Sequence, residues 1–128
     1  MKKISQQELE NVIKLPPYER YQYTMKWIAD GEAVYVLEND DNLALVTVGE
    51  EKAIPVWSAA EYASLSNNGD WAAFEVIALS LEEFEEHLIP LIVENKYLVS
   101  VFPVDAKAGF IVTLGEFLRD LDEELSNY

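Results

Sequence analysis

Ala33-Val-Tyr-Val-Leu37, Leu43-Ala-Leu-Val-Thr-Val48 and Ala53-Ile-Pro-Val-Trp57 are three short runs rich in β-branched and aromatic residues. Asn39-Asp40-Asp41-Asn42 and Gly49-Glu50-Glu51-Lys52 separate them, and both are turn compositions. Links this short leave no room for a crossover helix, so the runs predict an antiparallel meander. Proline has no N–H to give a neighbouring strand, so Pro55 predicts an edge position or a bulge in the third run.

Helical patterns flank the meander. Upstream, Leu9, Val12 and Ile13 make one face of a short helix that ends before Leu15-Pro16-Pro17. Pro17 suits the first turn of a second helix, which runs to about Asp30 with Gly31 as its stop. Tyr18, Tyr21, Met25, Ile28 and Ala29 share one stripe of that helix, and Tyr23 and Trp27 form a second, i,i+4 pair. A helix aromatic on two sides is expected to be covered on both, by the first helix and a sheet or by a partner.

Downstream, a short helix from Ala59 to about Leu65 ends at Asn67-Asn68-Gly69-Asp70, and Phe74–Leu79 reads as a strand. In the next helix Leu81, Phe84, Leu88, Leu91 and Ile92 share a face while Glu82, Glu85 and Glu86 look outward. Pro90 must kink or interrupt it, because its ring opposes the carbonyl of Glu86. Tyr97–Phe102 and Phe110–Val112 predict two strands around an Asp105–Gly109 turn. Leu114, Phe117, Leu118, Leu121 and Leu125 then give a clean amphipathic helix. The expected architecture is α+β: one domain over residues 1–128, with a single mixed, mostly antiparallel sheet of five to six strands and four to five helices mainly on one face.

Four capping-box signatures punctuate the chain: Ser5-Gln-Gln-Glu8, Ser58-Ala-Ala-Glu61, Ser80-Leu-Glu-Glu83 and Thr113-Leu-Gly-Glu116. In such a box the hydroxyl accepts from a free N–H of the first turn, and the glutamate reaches back to the N–H of the cap residue.

The chain carries 9 basic and 24 acidic residues, a net charge of −15. A surface this negative repels phosphate backbones and anionic lipid headgroups, so neither nucleic acid nor membrane is an expected partner. The acidity fits docking onto a basic protein, mimicry of nucleic acid, or solubility alone. No cysteine is present, which removes disulfides, thiolate nucleophiles and cysteine zinc sites. Met1–Glu8 holds two lysines without an apolar stretch behind them, and no run approaches the roughly 20 apolar residues of a membrane span. A cytoplasmic protein is expected.

Chemistry-bearing motifs are sparse. His87, the lone histidine, falls at the edge of its helix's apolar stripe, one turn after Glu83, which favours a helix pair over a general base or metal ligand. Glu38–Asn42 is rich in oxygen donors but lacks the glycine and the closing glutamate of an EF-hand loop. Glu82, Glu83, Glu85 and Glu86 point around a helix turn and do not converge. The glycines stand singly, with no phosphate-binding cluster and no nucleophile elbow. No catalytic, cofactor or metal residue is assigned, and the reading leans away from an enzyme.

Two groups remain as a candidate interaction surface. Trp57, Tyr62 and Trp71 flank the third run and its helix, where they form either a recognition patch or the closure of a core. Asp120, Asp122, Glu123 and Glu124 place negative charge at a helix C-terminus, against the macrodipole, as either a docking surface or a solvated end.

Ile54-Pro-Val-Trp-Ser-Ala-Ala-Glu-Tyr-Ala63 followed by Gly69-Asp70-Trp71 resembles the signature of a small bacterial family, domain of unknown function 2750. Arg20-Tyr21, Asp30, Val101-Phe102-Pro103 and Asp120–Leu125 fit the same pattern. That resemblance implies no activity, substrate or catalytic residue. A fainter similarity, over Ile54–Tyr62 and the later strands, is to the N-terminal domain of SseB proteins and implies an α+β module. The expected function is a protein-binding or regulatory module facing a basic partner, with an immunity-like role fitting the charge. The alternative is an enzyme using carboxylates and tyrosines in a cleft. Whether the chain is a monomer or a homodimer is left open by the sequence.

Overall fold

The computed structural model describes residues 4–104 and 109–127. Two helices open the chain, α1 (Gln6–Ile13) and α2 (Pro17–Gly31). Arg20 of α2 donates from Nη1 to the carbonyl of Leu15 at 2.8 Å, tying down the chain between the two helices. The left-handed residue that ends α2 is Glu32, at φ 52°, and not Gly31, which stays helical. The N–H of Leu81 bonds the Glu32 carbonyl and fixes that turn.

Among the described residues seven strands follow: β1 (Ala33–Asn39), β2 (Asn42–Leu43), β3 (Val46–Val48), β4 (Glu51–Val56), β5 (Glu75–Ser80), β6 (Leu98–Val101) and β7 (Phe110–Val112). They form two sheets of three and four strands, ordered β2-β1-β5 and β3-β4-β6-β7, in place of the single sheet of five to six strands expected from the sequence. The cause lies in the middle run of the supposed meander. Its first residues pair with β1, with Leu43 opposite Glu38, whereas its last pair with β4, with Val46 opposite Ala53. Asp40 and Asp41 both hold positive φ, the backbone that a tight two-residue hairpin loop requires. The donor-rich Glu38–Asn42 stretch is thus a turn.

β4 and β6 run parallel, and every other pairing is antiparallel. The sheets touch where Tyr35 and Trp57 exchange backbone hydrogen bonds of 2.9 and 3.0 Å. Pro55 sits between these partnerships. β3 pairs with β4 only as far as Ala53, and β1 takes over at Trp57, so the missing N–H falls in the gap between two neighbours. Pro55 is buried there on a strand that is central overall, with an edge only locally.

After β4 comes α3 (Ala60–Ser64), then a 3₁₀ turn over Gly69–Trp71. The helix after β5 has three parts: α4 (Leu81–Glu83), a π-helical turn (Phe84–Leu88) and α5 (Ile89–Asn95). Pro90 explains the π turn. It cannot donate to Glu86, so the backbone widens ahead of it and the N–H of Ile89 reaches the carbonyl of Phe84, five residues back. The wider turn retards the rotation of α5. Phe84, Leu88 and Ile92 are buried at a spacing of four, while Leu91, expected on the same face, is 37% exposed.

The predicted turn between β6 and β7 lies largely outside the described residues, but its last residue is clear. A Cβ on Gly109 would stand 2.2 Å from the carbonyl oxygen of Val101, so only glycine fits. The chain then enters α6 (Leu114–Leu125), which buries Phe117 and Leu121 against the core. Trp57, Tyr62, Phe84, Phe102 and Phe117 are the largest side chains buried there.

A candidate binding cleft

Three helix starts show how the residues of the site are distributed. At Ser80 and at Thr113 both halves of the capping box form. There the glutamates, Glu83 and Glu116, are held below the usual carboxylate range by the N–H groups they accept. Ser5 accepts from the N–H of Glu8 at 3.1 Å, and the Glu8 carboxylate accepts the hydroxyl of Tyr23.

The Ser58 box does not form at all. α3 begins one residue late with Ala59 as its N-cap, and no side chain caps it. Ser58 Oγ is buried without a hydrogen-bond partner, and Glu61 Oε2 accepts only a long bond of 3.4 Å from the N–H of Ile4. Both residues line a cleft of about 670 Å³. The end of α2, the start of β1, the end of β5 and the approach to α3 enclose it. Trp27, Tyr23, Tyr35, Ala59 and Leu79 supply apolar and aromatic wall, while Asp30, Glu32, Glu61 and Glu83 bring four carboxylates to it.

Behind the cleft lies a chain of hydroxyls. Tyr23 gives its proton to Glu8 and so receives one from Tyr62, with 2.8 Å between the two oxygens. Desolvation first, and the bond to Glu8 second, push the Tyr23 hydroxyl far above the ordinary tyrosine range. Tyr62 is also raised, chiefly by desolvation. Tyr23 of the second aromatic stripe of α2 is thus covered by α1 and α3, while Trp27, its i,i+4 partner, is half-buried on the cleft wall. The first meets α6 and β7, where Tyr21 donates to Asp120 at 2.5 Å and packs on Phe110 with ring centroids 4.9 Å apart.

The residues singled out as an interaction surface are scattered. Trp57 and Tyr62 are fully buried, so neither can present a surface, and the reading of them as an exposed recognition patch is corrected. The indole of Trp57 donates to the carbonyl of Pro103 at 3.3 Å, and Tyr62 packs on Phe102 at 4.7 Å between centroids. Both are too large and too well partnered to sit outside the core. Trp71 is half-buried beside a separate crevice with Leu45 and Asp70. On α6, Asp122 and Glu123 are exposed, Asp120 is occupied by Tyr21 and by Arg119 at 3.2 Å, and Glu124 is partly buried. Asp120, Glu123 and Glu124 share a small crevice with Tyr18 and Gln22, apart from Trp71. His87 is exposed on the π turn. No group of three histidine, cysteine or acidic residues among the described residues is placed to hold a metal ion.

Sequence reasoning did not gather the cleft. Its local signals are the Tyr23–Trp27 pair and the serine–glutamate spacings at Ser58 and Ser80, which read as caps, while Tyr35 and Leu79 are brought to the same wall by the pairing of β1 with β5.

A family model described as Protein of unknown function (DUF2750) matches residues 21–121. The chain belongs to this family. The matched span holds every cleft residue except Ile4, and it leaves out α1 with Glu8. No curated protein and no solved structure matches the chain, and the fainter likeness to SseB domains finds no support in these comparisons. The family description assigns no activity, so the DUF2750 membership carries no chemistry to the cleft. No helix among the described residues is long and apolar enough to cross a membrane.

Proposed function

We propose that this chain is a non-catalytic protein-binding module that docks a basic partner, with a regulatory or immunity-like outcome. The observation that carries the reading is the cleft, an aromatic-walled concavity to which Asp30, Glu32, Glu61 and Glu83 bring negative charge. The chain's net charge of −15 adds a long-range attraction for cationic surfaces and accelerates their encounter at low salt.

An enzyme working through carboxylates and tyrosines would use the same cleft. That reading needs a group poised to exchange a proton near neutral pH. Tyr23 instead holds its proton tightly, so the hydroxyl chain supports the wall of the cleft better than it supports proton transfer.

Capture from the lysate of its own cell tests the docking. The native chain should retain a basic protein at low salt and release it as salt rises, since screening weakens exposed charge pairs. A variant neutralised at Asp30, Glu32 and Glu61 should retain much less. Equal retention of the same proteins by native and neutralised chains would refute the docking.

A further inference from the structure

Ser58 and Glu61 are spelled as a cap, yet the fold does not use them as one, and both line the cleft. A buried hydroxyl without a partner is rare in a folded protein and calls for an explanation. We infer that the cleft receives an arginine side chain of the basic partner, its guanidinium set between Glu61 and the ring of Trp27, within reach of Ser58. This inference rests on the docking reading above.

Each part of an arginine has a counterpart on the cleft wall. Its methylene stem suits the apolar surface of Ala59, Leu79 and Tyr35, since such stems cover apolar groups while the charged head stays polar. Its planar head is weakly hydrated, stacks on aromatic faces and matches a carboxylate with two parallel N–H donors. The Trp27 ring already draws a cation, the Nζ of Lys26, at 5.7 Å from its centroid.

A guanidinium has donors only, and the Ser58 oxygen is an acceptor without a donor. Glu83 is committed to its cap and contributes only field. At about 670 Å³ the cleft is roomier than one side chain, so the partner's flanking backbone enters as well.

The test titrates the isotope-labelled full chain, followed by amide and indole NMR, with Nα-acetyl-arginine amide and with its neutral isostere Nα-acetyl-citrulline amide. Arginine should give saturable shifts at the Trp27 indole, Ala59–Glu61 and Ala78–Ser80. Citrulline should bind more weakly, by up to about fivefold, the worth of one partly exposed ion pair.

Glu61→Gln keeps an acceptor for Ile4 and should fold unchanged while weakening arginine about fivefold. Trp27→Leu should weaken it about two- to fivefold. Equal response to arginine and citrulline overturns the inference, as do saturable shifts confined to α6. If salt-dependent capture persists in both variants while arginine leaves the cleft unmoved, the docking stands and the arginine site falls. If arginine fills the cleft but no protein is captured at any salt, the protein partner falls and a free guanidinium compound takes its place.

Discussion

The junction from β4 into α3 and the junction from β5 into α4 have the same letters in the same order: serine, two spacers, glutamate. At β5 the box closes, with Ser80 accepting from the N–H of Glu83 at 3.0 Å and Glu83 accepting from the N–H of Ser80 at 2.9 Å. At β4 the backbone stays extended through Ala59, and the helix starts beyond reach of the serine. The difference has a visible cause. Trp57 is pinned by its bridge to Tyr35 and by its indole bond to Pro103, so the chain leaves β4 on a path set by the core. One junction spends its polar side chains on the helix, and the other leaves them facing a cleft. Disagreement between a local signal and the fold is what functional positions tend to show.

Three measurements can break or sharpen this contrast. The largest effect is expected where a box is complete. Thr113→Ala should lower stability by about 1 kcal/mol in urea unfolding, the usual worth of an N-cap, because α6 loses the bond between Thr113 Oγ1 and Glu116. A value near zero would mean that tertiary packing alone holds the helix start, and the contrast would lose its energetic content.

Acid titration comes next. Glu83 and Glu116 have their folded values depressed below the unfolded 4.5, so their stabilisation is complete above that value and is lost as pH falls through the lower, folded one. The gap in urea midpoint between the native chain and a Glu83→Gln, Glu116→Gln variant should therefore close as pH drops below about 4.5. A gap independent of pH from 7 to 3 would mean that the carboxylate charge adds nothing to these caps.

The smallest effect is expected at the open junction. Ser58→Ala removes a buried hydroxyl that bonds nothing, so stability should change by less than about 0.5 kcal/mol or rise slightly. A loss as large as that of Thr113→Ala would show that Ser58 caps α3 in solution.

Much of the fold is legible in the residues. The α+β class, the short strands, α6 with its cap and the interruption at Pro90 all follow from periodicity and from what proline lacks. The split of Leu43–Val48 between two sheets does not follow, because each half alternates as well in one sheet as in the other. Nor does the pairing of β5 along nearly all of β1, which joins Ala33 to Ser80 and Glu38 to Glu75 across a long stretch of intervening chain. The site was less legible than the fold. Trp57 and Tyr62 drew attention as large aromatics beside loops, but burial is decided by tertiary contacts that composition does not carry. Trp27, which the cleft does use, registered only as half of an i,i+4 pair.

The parallel pairing of β4 with β6 has a consequence for the time course of folding. Every antiparallel pair in the four-stranded sheet joins neighbours along the chain, whereas Ala53 finds Leu98, and the indole of Trp57 finds a carbonyl 46 residues further on. Closing so long a loop is an entropic cost met before any contact repays it, and such topologies fold slowly. During synthesis the β3–β4 hairpin can form early, but its central strand waits with one edge bare and its tryptophan uncovered until β6 leaves the ribosome. Trp57, fully buried in the finished protein, is thus left uncovered in the nascent chain until the residues around Pro103 have emerged.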